Sequence, residues 1–158
     1  MINKSFVSVG QFVNELLKHC SCKQNSISCD MHKHTGPSSE GFDCIHYGYH
    51  SGWLEDMDIT GMNEPLLRKN AARIIHEFMR LELGEPDLND VSCATNLRDL
   101  YDCRVCTKHV MQVYAKGIME GYYATDTLYL FGMNEPVVQQ DANIYISRIF
   151  QPNLRCRT

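Results

Sequence analysis

From Leu66 onward the apolar positions Leu66, Leu67, Ala71, Ile74, Ile75 and Phe78 fall on one side of a 3.6-residue period, with polar residues between them. Val137, Val138, Ala142, Tyr145, Ile146 and Ile149 repeat that spacing. Each stretch comes directly after the same pentapeptide, Gly-Met-Asn-Glu-Pro, at residues 61–65 and 132–136. An internal repeat of this kind decides architecture before any single motif is weighed. Phe6, Val9, Phe12, Val13, Leu16 and Leu17 mark a third, diverged copy, in which Ser8 and Gln11 have the spacing of a capping box. A helix of another kind is expected between the two pentapeptides, with Val105, Cys106, His109, Val110 and Val113 on its apolar side and Gly117 as its stop. The pattern predicts helices over 8–19, 66–81, 103–116 and 137–150. Asn63 and Asn134 are expected to cap helices whose first turns hold Pro65 and Pro136, and Met62 and Met133 to fill the gap between repeats.

The repeat unit reads helix, Gly-Ile turn, short loop, Phe-Gly-x-Asn-x-Pro, helix. Residues 97–150 carry it in full: Leu97, Arg98, Asp99 and Leu100 at the entry, Gly117, Ile118 and Gly121 in the turn, and Phe131 to Pro136 before the second helix. On these residues the segment resembles an S-layer homology (SLH) repeat. Gly52-Trp53 and residues 61–79 look like the same turn and second helix with a shorter loop between them. The resemblance implies a mainly α fold, SLH-like helix-loop-helix repeats in pseudo-threefold arrangement, organised as one domain over 1–158. Its parts are the second helix of a partial repeat (5–20), a Cys/His-rich insertion (19–41), and repeats over 42–82 and 95–151. It also implies anchoring to cell-wall polysaccharide through a tetrad at the start of each second helix. Those tetrads read Ser8-Val9-Gly10-Gln11, Leu67-Arg68-Lys69-Asn70 and Val138-Gln139-Gln140-Asp141. Arg68, whose guanidinium suits a carboxylate, and Trp53, the only tryptophan, are the ligand-binding candidates, with core packing beneath the pentapeptide loop the first expectation for Trp53.

Composition narrows the partners. The chain has 158 residues and a net charge of −4, and no run of basic residues longer than Arg68-Lys69, so no phosphate-neutralising stripe for nucleic acid is present. No apolar run approaches the ~18 residues that a transmembrane helix needs. The first residues lack a secretory pattern, so a cytoplasmic location is expected, or the cell surface if an export signal was trimmed.

Eight cysteines in such a chain point to metal ligation, redox chemistry or packing rather than to disulfides. Five of the eight have a histidine within three residues, and three Cys with three His fall between His19 and His34 in an aperiodic stretch. Thiolates and imidazoles at such spacing can converge on zinc or another transition metal. The expected ligands are drawn from Cys20, Cys22, Cys29, His32, Cys44, His46, Cys103, Cys106 and His109. Cys106 with His109 is the better pair on the later helix, and packing on that helix's apolar face is the competing role. Without an oxyanion device beside any cysteine, the reading leans away from an enzyme. A non-catalytic metal-binding module for binding or assembly with a protein partner is expected first. Polysaccharide anchoring and a Cys- or metal-dependent enzyme are the alternatives.

Overall fold

The computed structural model describes residues 5–21 and 40–156. Among them are six α-helices: α1 (Val9–Ser21), α2 (Glu40–His50), α3 (Asp56–Thr60), α4 (Arg68–Leu81), α5 (Arg104–Ala115) and α6 (Gln139–Phe150). A two-stranded antiparallel sheet joins β1 (Tyr122–Thr125) to β2 (Leu128–Leu130), with Tyr122 opposite Leu130. The protein is therefore mainly helical, as its apolar period requires. The hairpin occupies what the sequence reads only as a loop.

α1, α4 and α6 each start two residues after a buried apolar residue, Val7, Leu66 and Val137 respectively, and these three residues close a ring. Val7 donates its N–H to the carbonyl of Val137 at 3.0 Å, Val137 to Leu66 at 2.8 Å, and Leu66 to Val7 at 2.8 Å. A second layer repeats the order: Val9 donates to Glu64 (3.2 Å), Arg68 to Glu135 (2.9 Å) and Gln139 to Ser5 (2.9 Å). Buried extended backbone must find partners, and here each segment satisfies the next in a cycle. Pro65 and Pro136 stand at bridge positions opposite Ser8 and Leu67, where no N–H is required of them.

This pairing moves the helix starts. The residues flanking α4 and α6 at their starts are the extended Leu67 and Val138, so the expected capping by Asn63 and Asn134 is corrected: the three residues after each Asn-Glu pair are spent on the ring. Lys69 Nζ reaches Asn134 Oδ1 instead, at 2.7 Å. The Ser8 and Gln11 box is present in both directions, at 3.2 and 2.9 Å.

α2 packs against α1, and α5 against α4. Both of these outer helices stop shortly before a glycine of positive φ, Gly52 (84°) and Gly117 (70°), and the next residue, Trp53 or Ile118, is fully buried. The core between the helices holds Phe12, Leu16, Trp53, Leu66, Ile74, Phe78, Leu100, Val113 and Phe131, each no more than 1% exposed. Burying one such side chain is worth about 1.5–3 kcal/mol. Met133 plugs this core at 3% exposure, and Met62 packs at its margin.

Candidate metal centre

Tertiary packing selects one of the expected ligands and supplies it with partners from another helix. His109 lies on α5, and α4 brings His76 and Glu77 to it. One ligand atom from each of His76, Glu77 and His109 lies within 4.8 Å of the other two, a convergence of ligands among the described residues. The two imidazoles approach Nδ1 to Nδ1 at 2.8 Å. Glu77 Oε1 stands 3.9 Å from His76 Nδ1 and 3.7 Å from His109 Nδ1.

Outer partners hold two of the three groups, His76 and Glu77. His76 is 1% exposed, and its Nε2 meets Asp87 Oδ1 at 2.7 Å. A carboxylate only accepts, so His76 Nε2 carries a proton, and the Nδ1–Nδ1 contact is a hydrogen bond with a proton on one of its two nitrogens, which a bound ion would displace. Asp87 is held below the usual carboxylate range by the hydrogen bond from His76, with Lys108 as a further partner at 3.3 Å. Arg80 takes Glu77 Oε2 at 2.5 Å, which leaves Oε1 toward the histidines. Burial, then the neighbouring His76, lowers His109 from 6.5 to about 4. Near pH 7 its imidazole is neutral, the state in which histidine ligates a metal.

The geometry suits a first-row ion with a small adjustment. Two imidazole nitrogens on tetrahedral Zn²⁺, at about 2.0–2.1 Å each, sit about 3.3 Å apart. The His76–His109 contact must therefore open by roughly half an ångström and the carboxylate close by a few tenths. A carboxylate behind a ligating histidine, as Asp87 stands behind His76, is the usual outer support of such a site. Three protein ligands leave a fourth position for water or an incoming donor.

The remaining expected ligands are distributed elsewhere. Cys22, Cys29 and His32 lie outside the described residues. Cys20 is buried at 7% exposure on α1, and Cys44 Sγ donates toward Asn14 Oδ1 at 3.5 Å. The His46 ring neighbours that of His50, with centroids 6.4 Å apart on α2. Cys103 and Cys106 form a disulfide, against the expectation that cysteines of this chain avoid them, and as a disulfide neither offers a thiolate to an ion.

The ligand candidates Arg68 and Trp53 are both turned inward. Arg68 is 8% exposed and donates through Nε to the Phe131 carbonyl at 2.7 Å, through Nη1 to Tyr145 Oη and through Nη2 to the Glu120 carbonyl, both at 2.5 Å. Its guanidinium ties the loop before α6 to α4, and its edge reaches the floor of a groove lined by Phe6, Tyr122, Glu135, Asp141 and Arg148. Trp53 is 0% exposed, stacks edge-on against Phe78 and donates from Nε1 to Glu82 at 3.0 Å. Trp53 thus takes the core position expected first for it, and its alternative role as a ligand contact is corrected, because the indole is fully buried with its N–H satisfied.

His76 and Glu77 escape sequence reading. His76 stands on the apolar face of α4, where a histidine signals nothing by itself, and Glu77 is one more acid on a helix. Only the α4–α5 contact gives them meaning. No helix among the described residues is long and apolar enough to cross a membrane. Comparison with protein-family models, curated proteins and solved structures gives no match.

Proposed function

We propose that the chain is a non-catalytic metal-binding module, SLH-like helix-loop-helix repeats in pseudo-threefold arrangement, in which a zinc-class ion clamps α4 to α5. The observation that carries this reading is the convergence of His76 Nδ1, His109 Nδ1 and Glu77 Oε1, each braced from behind by a charged group or by burial. The cyclic backbone ring of Val7, Leu66 and Val137 supports the repeat arrangement, because three equivalent segments satisfy one another in one sense of rotation. Two neutral imidazoles and one carboxylate give a ligand set of charge −1, which suits a divalent ion. The open fourth position lets a donor from a protein partner complete the site, which makes the module one of assembly.

The test is a titration of metal-free, reduced protein with Zn²⁺. One equivalent is expected to bind at this site and to raise unfolding free energy by about 2.7 kcal/mol at a hundredfold excess over Kd. His109→Gln and Glu77→Gln are expected to lose that gain. The reading fails if wild-type stability ignores Zn²⁺, or if the gain persists undiminished in His109→Gln, which would assign it to the cysteines.

Polysaccharide anchoring is the second reading, favoured by Arg68 and Arg148 in the groove beside Tyr122 and Tyr145. Co-sedimentation with purified cell wall would support it, and a protein left wholly in the supernatant would remove it.

A further inference from the structure

The pair Cys103 and Cys106 stands apart from the metal centre and has its own chemistry. The two cysteines close a disulfide across the entry of α5: Cys103 is the residue flanking the helix, with extended backbone, and Cys106 is the third helical residue. Both side chains are half-buried, packed on one side against the core. A sulfur in the first turn feels the free backbone donors and the positive end of the helix dipole, which favour its thiolate form. Among the adjoining charges, Arg104 inside the motif is exposed and positive and Asp102 before Cys103 is exposed and negative, while Lys108 pairs with Asp87.

The surface around the disulfide is the second observation. Val105, between the two cysteines, is 83% exposed, the highest value among the large apolar side chains described, and Tyr101 beside them is 66% exposed. Covering these two side chains with a partner would take their apolar surface out of water. Here they flank a bond that thiols can attack.

We infer that Cys103–Cys106 is a reversible dithiol–disulfide exchange centre whose co-reactant is a protein dithiol that docks on Tyr101 and Val105. A thiolate of the co-reactant attacks Cys103 Sγ. The Cys103–Cys106 bond breaks, a mixed disulfide forms at Cys103, and the electron pair leaves on Cys106 as a thiolate that the first turn of α5 stabilises. The second thiolate of the co-reactant then attacks its own sulfur in the mixed disulfide and releases Cys103 as a thiolate. The co-reactant leaves as a disulfide, two electrons have passed to the protein, and the two protein thiolates take protons from solvent as their pKa values dictate. The reverse sequence restores the oxidised state.

The experiment uses the full chain in the presence of a chelator, so that its outcome is independent of the metal centre. Redox titration with glutathione and, separately, with reduced thioredoxin-type dithiol protein is read by differential alkylation and mass spectrometry of the peptide carrying both cysteines. A two-electron transition of that peptide is expected, and Cys106→Ser, whose Cys103 is a free thiol, is expected to attack oxidised glutathione, release one glutathione thiolate and accumulate a mixed disulfide at Cys103. Val105→Ser, which adds no charge, is expected to slow exchange with the protein dithiol about tenfold, the worth of one buried valine, and to leave exchange with glutathione unchanged. The exchange centre is overturned if the native peptide stays fully reduced or fully oxidised across the titration, or if Cys106→Ser traps no adduct. The docking surface is overturned if Val105→Ser leaves both rates unchanged or alters them equally.

Discussion

The two Gly-Met-Asn-Glu-Pro segments are identical in sequence and feed identical helix starts, yet they are braced by different chemistry. Before α6, the Asp99 carboxylate accepts the backbone N–H groups of Phe131 (2.7 Å), Gly132 (2.8 Å) and Met133 (3.3 Å). Before α4, Asp58 accepts the N–H of Glu55 at 2.8 Å and pairs with Arg73 of α4 at 2.5 Å. Even the leading glycines differ, since Gly132 has φ +78° and Gly61 has φ −98°. The pentapeptide thus fixes the ring segment and the helix start on its C-terminal side. The longer loop before one copy and the short α3 before the other fix the glycine.

The comparison is broken most forcefully at the aspartates. Asp58 is 2% exposed, and Asp58→Ala would leave Arg73 without its buried partner. A loss of about 3–5 kcal/mol is expected in denaturant unfolding. Asp99→Ala strands the backbone donors of three buried residues at a half-buried carboxylate, whose place water can partly take, and is expected to cost about 2–3 kcal/mol. If the braces are independent, the double variant loses the sum of the two in the same assay.

Copy-specific chemistry sharpens the contrast further. Ten residues after Leu66 the α4 helix carries His76-Glu77, whereas ten after Val137 the α6 helix carries Ser147-Arg148 and ten after Val7 the α1 helix carries Leu17-Lys18. Only one copy can therefore meet His109. With its folded value lowered to about 4 against 6.5 for an unperturbed histidine, His109 binds a proton more readily in the unfolded chain. Its contribution is flat above pH 7, and stability falls as pH drops from about 6.5 toward 4, by about 3 kcal/mol at the bottom of that window. Urea unfolding of metal-free protein at a series of pH values should show that fall, and His109→Gln should flatten its part of the slope. A curve for His109→Gln that parallels wild type would show that the α4–α5 contact does not hold this imidazole neutral.

The smallest expected effect separates the glycines themselves. A Cβ at Gly132 would meet Tyr122 Cε1 at 2.9 Å and Glu135 at 3.0 Å in a left-handed backbone. Gly132→Ala is expected to cost about 1–2 kcal/mol from conformation alone. At Gly61 the nearest atom is the Met57 carbonyl oxygen, at 3.0 Å, and φ is ordinary, so Gly61→Ala is expected to cost under about 1 kcal/mol. Equal losses in thermal or denaturant unfolding would mean that the loops do not set the glycine conformation.

Much of the helix content was legible because periodicity survives in the sequence. Helices expected over 66–81 and 137–150 occur as Arg68–Leu81 and Gln139–Phe150, each shortened at its start by the segment that joins the ring. The site was legible only at His109. Its partners come from α4, and no spacing within one helix encodes a neighbour contributed by another. Cys103 and Cys106 were visible as a pair, but spacing alone does not separate thiolates gathered for an ion from sulfurs joined to each other.

By itself, the sequence determined the local elements: three equivalent amphipathic helices, the Gly52 and Gly117 stops, and the Ser8 and Gln11 box. These depend on interactions within a few residues, which order along the chain specifies directly. Tertiary structure alone decided that Arg68 turns inward, that Val7, Leu66 and Val137 satisfy one another's backbones, and that His76 and Glu77 face His109. Each of these outcomes weighs burial against hydrogen bonding between residues far apart in the chain, and that balance exists only once the helices have packed.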